Sequence, residues 1–366
     1  MKKSLLALAV LGAFAGVASA QSSVTLSGTL DLAARYQKND GQSRRVGMSN
    51  SGINSSQLVF SGKEDLGGGL YAGFVLNSQL VGDTGTAGIG GKFFNRRETV
   101  SLWGNFGEIR LGRDYTPTFW NNTIFDVYGT VGVGDSSNVC QMCIGTFVRA
   151  DNSIGYFLPS NLGGLYGQFM AAASEGAPIA AATVPAGATP VNQYQINNPG
   201  RYVGGRIGFA AGPFDIAGAY ATQRLDRTPT APSQKTMNIG GAYNFGIAKI
   251  MGYFDRDTLS YPGVDKKENR YSLSVLVPIG QGEIHGGYDY SKLDNNGVRT
   301  RISKYAAGYV YNLSKRTALY TQVARLTNKD GTAVQIGGDT GGSPWGAPPT
   351  PGGKSTGFEA GLRHFF

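Results

Sequence analysis

The chain has 366 residues with 56 Gly, 19 Tyr and 18 Phe, and only 16% of its residues are charged. This composition is typical of many short strands joined by tight turns, and no composition shift or linker divides the chain into two soluble domains. The formal charge is +9, but no basic run exceeds two or three residues, which argues against a nucleic-acid partner.

The first 20 residues have the three parts of a secretory signal peptide. Lys2 and Lys3 form a basic start, residues 5–17 an apolar core, and residues 18–20 a small-residue cleavage site. The apolar run is too short for a transmembrane anchor, and no stop-transfer pattern follows it. We therefore expect cleavage before Gln21 and an exported domain of residues 21–366, with a charge of +7 once the two lysines are removed from the +9.

From residue 23 onward, apolar and polar residues alternate with a period of two. In the first segment Val24 and Leu26 share one face, and Thr25 and Ser27 share the other. One such segment also fits a soluble sandwich, but the pattern recurs along the whole chain. The predicted strands are 23–37, one ending at 57–63, 70–81, 92–103, 108–113, 149–158, 164–173, 201–210, 214–223, 235–243, 247–257, 268–277, 283–292, 301–311, 316–326 and 355–366.

Short turns alternate with longer loops between these sixteen segments. This is the arrangement of outer-membrane barrels, whose outward face is apolar. Lipid requires closure, because an open sheet edge would leave backbone groups unpaired in hydrocarbon. We therefore predict an all-β fold, a 16-stranded antiparallel transmembrane β-barrel. A barrel of about 16 strands leaves an aqueous channel.

Residues 114–149 interrupt the alternation. A loop of more than about 30 residues is unusual in a compact domain and usually carries function. We predict that this stretch, the third outer loop, folds into the lumen as a constriction loop and sets the size and charge of a pore. Its aromatic residues are expected to anchor it to the wall by packing: Phe119, Trp120, Phe125 and Tyr128.

Six motifs resemble the general diffusion porins of β-proteobacteria. They are QSSVTL at 21–26, SGKEDLGGGL at 61–70, GNFGEIRLGR at 104–113, RADNSIGY at 149–156, YNLSKRTALY at 311–320 and GLRHFF at 361–366. The resemblance covers essentially all of residues 21–366. It implies a homotrimer in the outer membrane that passes small hydrophilic solutes and often favours anions. It further implies contacts with outer-membrane lipid and lipopolysaccharide, and recognition of the C-terminal Phe366 by the β-barrel assembly machinery.

Charged side chains that face a narrow passage control the selectivity of a pore. Parity along the predicted strands places Arg35, Arg97, Arg110 and Arg149 on the lumen side. The resemblance implies a basic cluster on the wall opposite the loop, at Arg149 and at the Arg96–Arg97 pair. The motif favours Arg96 and the parity favours Arg97, so both are kept as candidates; a bulge would reconcile them.

The chain departs from the family pattern at two wall positions. Gln57 stands where a third basic residue is expected, and Asn77 stands where a carboxylate is often seen. The facing loop contributes Asp126 and Asp135 as its acids. Two acids do not balance the arginines, so we expect a positive local potential and an anion preference.

Cys140 and Cys143 lie outside the usual family pattern. An exported chain meets oxidising conditions, so we expect a disulfide that clips the loop tip; a redox C-x-x-C would need a thioredoxin-like βαβ unit around it. The two histidines, His285 and His364, are too few for a usual zinc site, and neither lies near a nucleophile elbow. We therefore predict no metal, no cofactor and no catalytic residue.

Three functions compete at this point. The first is a nonspecific, mildly anion-selective porin, which we favour. The second is a substrate-specific channel whose arginines hold carboxylates or phosphate, and it predicts saturating conductance with one solute. The third is an outer-membrane enzyme, which would need an acid/base or nucleophile set at the barrel rim.

Overall fold

A computed structural model of the chain describes residues 23–173, 201–225, 232–261, 263–337 and 345–366. The predicted signal peptide, its cleavage site before Gln21 and the predicted loop at 174–200 lie outside the described residues. No helix within the described ranges is both long and apolar enough to cross a bilayer. The elements are β1 (Ser23–Asn39), β2 (Arg45–Asn50), β3 (Gln57–Gly67), β4 (Leu70–Val81), β5 (Thr86–Ala87), β6 (Arg97–Gly104), β7 (Gly107–Tyr115), α1 (Pro117–Ile124), a 3-10 helix (Ser136–Val139), β8 (Arg149–Phe157), β9 (Leu165–Ala172), β10 (Tyr202–Ala211), β11 (Phe214–Arg224), β12 (Ser233–Asn244), β13 (Lys249–Tyr261), β14 (Val264–Ile279), β15 (Gly282–Asn295), β16 (Val298–Asn312), β17 (Thr317–Lys329) and β18 (Lys354–Phe365).

These strands form one closed antiparallel barrel with sixteen strand positions around the wall. β2 and β3 pair with successive halves of β1, so together they make a single strand position that is interrupted at residues 51–56. β5 is a two-residue strand that pairs only with the end of β4. β18 pairs with β1 from Thr29–Phe365 to Asn39–Ser355, which closes the sheet. The predicted 16-stranded antiparallel barrel is confirmed, and closure leaves no long edge facing lipid.

The two faces of the wall differ as the alternation predicts. On β1 the outward residues Val24 and Leu26 are 71% and 58% exposed, whereas Asp31 and Arg35 on the inward face are buried inside the barrel. Large exposed apolar side chains recur on every other residue of the later strands as well, for example Ile207 and Ile239. An outward apolar face around a polar interior is the transmembrane barrel pattern.

Two outer connections are tighter than the predicted loops. β15 and β16 are joined through Asn296 and Gly297, whose φ angles are 51° and 88°. Positive φ at both central residues is the two-residue type I′ hairpin turn, for which Asn-Gly is the preferred sequence. β13 and β14 are joined just as closely, with Tyr261 paired to Val264. At β13–β16 the wall therefore extends as two long hairpins where the sequence predicts loops.

A glycine lies at the turn end of the seam between β1 and β18. Gly28 and Phe366 exchange two backbone hydrogen bonds of 3.0 and 3.1 Å. A Cβ on Gly28 would lie 2.3 Å from the Phe366 ring and 2.6 Å from the carbonyl oxygen of Gln57. The C-terminal residue therefore needs a residue without a side chain beneath it.

We expect Gly28→Val to prevent closure of most molecules, because the backbone at Gln57 cannot move away. The measurement is the fraction of refolded protein with the heat-modifiable mobility of a closed barrel. Gly218→Val is the matched control, since the nearest atom to its Cβ is 3.8 Å away. Equal closure of the two variants would contradict this account of the seam.

Candidate functional site

The segment between β7 and β8, residues 116–148, folds back into the barrel, and we call it the inner loop. It begins with Thr116, whose hydroxyl accepts the backbone N–H of Phe119 at 3.3 Å and so caps α1, with Pro117 at the first position of the helix. Phe125 follows the helix and is fully buried against wall residues that include Ala217 and Met251. The helix and the residues that follow it are therefore held by packing against β9–β13.

Polar side chains of distant strands bind the backbone of the inner loop. Glu268 on β14 accepts the N–H groups of Gln141 at 2.9 Å and Met142 at 2.7 Å. Glu359 on β18 accepts the N–H of Val133 at 3.1 Å. Both carboxylates are fully buried, and such charge-assisted bonds are stronger than neutral ones.

Lys304 on β16 makes the complementary contact with loop carbonyls. Its ammonium donates to the carbonyl oxygen of Gly134 at 2.6 Å and to that of Asp135, and it forms an ion pair with Asp289 at 3.1 Å. Lys304 is 0% exposed. A buried cation needs this full set of partners, because its desolvation costs several kcal/mol. The position of the inner loop is therefore tied to a charge buried in the wall.

Cys140 and Cys143 form a disulfide at the tip of the inner loop, with their Cα atoms 5.8 Å apart. The disulfide lies against β14, where Arg270 Nη1 is 3.2 Å from the sulfur of Cys143. Cys140, Asp257 and Glu268 have ligand atoms within 4.8 Å of one another. The sulfur of Cys140 is held in the disulfide, so this group offers two carboxylates rather than a thiolate metal site.

We expect Cys140→Ser/Cys143→Ser to fold and conduct almost as the parent does. The disulfide closes a loop of very few residues, so its entropic contribution is small, and Glu268 still binds the loop backbone. Thermal denaturation and single-channel conductance check this expectation. Thiol labelling of unreduced protein extracted from outer membranes should find neither cysteine free. Labelling of both would rule out the disulfide.

Two of the candidate arginines bind the same tyrosine, Tyr115, on the part of the barrel wall opposite the strands that hold the inner loop. Arg96 and Arg149 donate to the hydroxyl of Tyr115 at 2.7 and 2.8 Å, and Arg96 Nε also donates to Oε1 of Gln57 at 3.0 Å. The Arg149 guanidinium lies 4.4 Å from the Tyr115 ring centre, a cation–π distance. Gln57 thus takes part in the cluster through its amide oxygen.

Both members of the arginine pair lie at this site. β6 begins at Arg97, five residues later than predicted, because the side chain of Asn95 accepts the backbone N–H of Gln79 at 2.9 Å. Arg96 therefore precedes the regular strand and does not follow its alternation. Arg97 obeys the alternation and donates to Thr99 Oγ1 at 3.0 Å on the inward face. No bulge between the two arginines is needed.

Arg110 and Arg97 share Asp114, an acid that is not among the predicted site residues. Arg110 pairs with Asp114 at 2.6 Å and with Glu108 at 2.8 Å, and Arg97 Nε lies 3.7 Å from Asp114. Asp114 is buried in the wall, where a bulge shifts the register after Gly112. These two arginines are therefore partly neutralised.

We call the part of the barrel wall that carries Arg96, Arg97 and Arg149 the arginine wall. A cavity of about 500 Å³ lies between it and the inner loop. The wall contributes Arg96, Arg97 and Arg149, and the loop contributes neutral residues such as Thr123 and Thr130. Among the described residues that line this cavity, none is an acid. A second cavity of about 480 Å³ lies on the turn side of the first and shares Ser61, Val75 and Arg97 with it.

The two predicted loop acids do not line that cavity. Asp126 accepts the N–H groups of Tyr128, Thr130 and Ser136 at 2.9–3.1 Å and so shapes the loop itself. Asp135 caps the 3-10 helix by accepting the N–H of Ser137 at 2.7 Å. Burial, together with the nearby Asp126, raises the pKa of Asp135 to about 6.

Arg35 lies apart from the other candidates. It faces inward as parity predicts, but it is covered by the last long connection. Its guanidinium donates to the carbonyl of Gly337 at 2.5 Å and lies 5.0 Å from the Trp345 ring centre. The structure thus brings together Arg96, Arg97, Arg110, Arg149 and Gln57, and places Arg35, Asp126 and Asp135 elsewhere.

The groups that hold the inner loop are not among the predicted site residues. Glu268 shares the inward face of β14 with Ser272 and Ser274, and the alternation marks that face. The sequence offers one indication of such a group, which is a charged residue on the lumen face of a strand far from the arginines. Which loop residue it would bind is not encoded in any local pattern.

Comparison with known proteins agrees with this architecture. A family profile described as Gram-negative porin matches residues 7–331. The chain is 38% identical to outer membrane porin protein 32 of Delftia acidovorans, covering 100% of both chains, and 28% identical to an outer membrane porin protein of Bordetella pertussis, covering 92% of this chain and 99% of that one. An anion-selective porin from Comamonas acidovorans superposes with a TM-score of 0.81 at 35% identity, covering 94% of this chain and 100% of that chain. OmpT of Vibrio cholerae in its trimer form shares the fold at 12% identity, with a TM-score of 0.65, over 94% of this chain and 99% of that one.

These matches confirm the predicted porin family, the outer-membrane location and the channel function. The protein is a multi-pass β-barrel of the outer membrane, and it provides a water-filled channel for passive diffusion of small hydrophilic solutes and ions. It is a channel rather than an enzyme, which removes the third of the competing functions. The family profile spans most of the chain, and a relative of 38% identity spans all of it. The chain therefore belongs to the Gram-negative porin family.

Proposed function

We propose that this porin prefers anions and that its selective passage is the cavity between the arginine wall and the inner loop. One observation carries the proposal: the described residues lining that cavity include Arg96, Arg97 and Arg149 and no acid. The similar porin from Comamonas acidovorans is described as anion-selective, which supports the same sign for this chain.

The anion preference has an electrostatic cause. A unit charge about 7 Å from a permeating ion contributes on the order of 1 kcal/mol at effective dielectric constants between those of water and of a protein surface. Three arginines on one side of a narrow passage therefore enrich anions and deplete cations there. Arg110 extends the basic path toward the turn side, but Glu108 and Asp114 reduce its effect. Asp114 also reduces the effect of Arg97, so Arg96 and Arg149 contribute most.

The direct test is the reversal potential of the parent channel in a gradient of potassium chloride, whose two ions have nearly equal mobility. An anion-preferring pore gives a potential of the sign set by chloride at low salt. The preference should shrink in about 1 M salt, where the Debye length is about 3 Å. A cation-selective potential would overturn the proposal. Conductance that saturates with one organic anion would instead favour a substrate-specific channel.

We further propose that residues 1–20 are removed on export and that residues 21–366 form a homotrimer. The trimer form recorded for a porin of the same fold supports this assembly. Cross-linking in native membranes should give trimers, and a purely monomeric pattern would rule them out. We also propose that lipopolysaccharide contacts the outer rim. We further propose that the assembly machinery recognises Phe366, a residue that is 41% exposed at the seam.

A further inference from the structure

Three aromatic side chains lie at one level of the wall near its turn end and face the lumen. The strand registers align Tyr71 on β4 with Trp103 on β6, Trp103 with Glu108 on β7, and Glu108 with Phe157 on β8. Each ring residue lies an even number of positions from an inward-facing residue of its own strand, namely Asn77, Arg97 and Ser153. We call Tyr71, Trp103 and Phe157 the lumen aromatic row.

The position of this row is unusual for a barrel of this kind. The aromatic girdles of outer-membrane barrels face the lipid, whereas these rings are half-buried beside a water-filled lumen. Apolar surface that is left in contact with water commonly marks a binding site. The row is therefore a candidate for contact with a solute on its way through the channel.

Trp103 provides a flat apolar surface in the middle of this part of the wall. Its ring stacks beside that of Tyr71, with centres 5.8 Å apart and planes inclined by 20°. A Cβ on Gly73 would lie 2.8 Å from Cη2 of Trp103, so the indole extends over the backbone of a glycine. Because Trp103 also lines the cavity on the turn side, it presents the rest of its surface to the lumen.

Lys63 on β3 places a positive charge next to this surface. Its ammonium lies 3.9 Å from the ring centre of Tyr71 and 5.9 Å from that of Trp103. Lys63 is exposed, and within the described part of the chain no acid lies within 4.0 Å of its ammonium. The nearby Asp65 accepts the N–H of Gly67 at 2.9 Å in the adjoining turn. The charge of Lys63 therefore remains available to an anion in the lumen.

The cation at the other end of the row is already neutralised. The guanidinium of Arg110 lies 4.0 Å from the ring centre of Phe157. It also pairs with Glu108 at 2.8 Å and with Asp114 at 2.6 Å. Glu108, which lines the same cavity, is thus matched by Arg110. The combination of an open aromatic surface and an unpaired charge occurs at the Trp103 and Lys63 end.

These residues line the second cavity described above, which we call the turn-side cavity. Its volume of about 480 Å³ lies within the range of about 300–1,000 Å³ that is usual for small-molecule sites. Lys63 and Trp103 line the turn-side cavity and are not part of the lining of the cavity at the arginine wall. A solute held by these two side chains is therefore bound outside the proposed selective passage.

We propose that the turn-side cavity binds small aromatic carboxylates. The ring of the solute stacks on the indole of Trp103, the arrangement that aromatic pairs prefer. A carboxylate attached directly to that ring lies at its edge, beside the Lys63 ammonium, with which it forms an ion pair. The inference goes beyond the proposed function, because it names a chemical class of solute rather than a sign of charge, and it does not rest on the proposed anion preference.

The test uses the folded porin in detergent with fluorine-labelled tryptophan and follows the fluorine NMR spectrum. The chain has three tryptophans, Trp103, Trp120 and Trp345, and replacement of each by Phe identifies its resonance. The probes are benzoate and cyclohexanecarboxylate, which carry the same charge and are similar in size, but only benzoate has an aromatic ring. The Trp103 resonance should shift with benzoate, at a half-saturating concentration about three- to tenfold below that of cyclohexanecarboxylate.

Lys63→Gln should raise the half-saturating concentration of benzoate about two- to fivefold, the usual effect of losing an exposed ion pair. Lys249→Gln is the matched control. It removes a lysine from the turn end of β13, where Lys249 shares the inward face with Met251. The control should bind benzoate as the parent does. If Trp103→Phe does not fold, the Trp103 resonance is identified from Trp120→Phe and Trp345→Phe by elimination.

Three results would overturn the proposal. The first is a Trp103 resonance that does not respond to benzoate, and the second is an equal half-saturating concentration for the two carboxylates. The third is a response confined to the resonance of Trp120, which lines the cavity at the arginine wall. An equal effect of Lys63→Gln and Lys249→Gln would likewise contradict the ion pair with Lys63.

The reversal potential of the parent in potassium chloride separates this proposal from the proposed function, because it is measured without any organic anion. A cation-selective parent whose Trp103 resonance responds to benzoate as expected would refute only the proposed function. An anion-selective parent that does not distinguish benzoate from cyclohexanecarboxylate would refute only the aromatic site.

Discussion

Replacing Arg96 and Arg149 together with Gln should lower the anion/cation permeability ratio about five- to tenfold. Two positive charges leave the cavity. A five- to tenfold change needs each charge to act on each permeating ion with only about 0.3 kcal/mol, which is what salt screening leaves of an interaction on the order of 1 kcal/mol. The wall itself should remain intact, since Arg110 and Asp114 still pair at 2.6 Å beneath it. Conductance should rise slightly, because Gln is smaller than Arg. Reversal potentials in low-salt gradients give the measurement.

Lys315→Gln/Arg316→Gln serves as the control for this variant. It removes the same charge from the turn between β16 and β17, where both side chains are exposed. The control should keep the parent's selectivity, and the difference between the two variants should fade in about 1 M salt. If the arginine variant keeps the parent's reversal potential at low salt, the passage lies elsewhere in the lumen.

Lys304→Met should release part of the inner loop and destabilise the barrel by about 3–5 kcal/mol, the usual result of breaking a buried ion pair on one side. The change removes the donor to the carbonyls of Gly134 and Asp135 and leaves the Asp289 carboxylate buried without its cation. Single-channel records should show larger and noisier conductance, and the thermal midpoint should fall.

The double variant Lys304→Met/Asp289→Asn separates the two causes. Removing the buried carboxylate should restore most of the thermal stability, because no charge is then left without a partner. The noise should persist, since the loop carbonyls still lack their donor. Quiet channels in the double variant would mean that Lys304 does not hold the inner loop in place.

The barrel was predictable because lipid outside and water inside impose a strict period of two on every strand. The bounds of single strands were less so. The side chain of Asn95 ends the pairing before Arg97, and the Asn296–Gly297 turn extends β15 and β16 beyond the expected loop. Such local exceptions depend on one side chain or one turn, which a periodic pattern averages out.

The positive charge of the candidate site was predictable, but the contacts that each of its residues makes were not. Parity and motif pointed to arginines that the structure does bring together around Tyr115. Parity alone could not tell that Arg35 lies beneath Trp345, since it fixes the face of a strand and not what covers it. It also could not assign Asp114 to Arg110 or Lys304 to the inner loop, because these contacts join positions that only the closed fold brings together.

The residues that form the arginine wall and the residues that hold the inner loop are encoded in different parts of the chain. The arginines and the loop between them occupy one continuous stretch, 96–149, whereas Glu268, Lys304 and Glu359 belong to the last third of the sequence. Substitutions within this one segment can therefore change the charge of the passage while the strands that hold the inner loop stay unchanged. The same division makes the stretch a natural unit for grafting between barrels, provided that the recipient supplies the buried carboxylates and lysine that receive it.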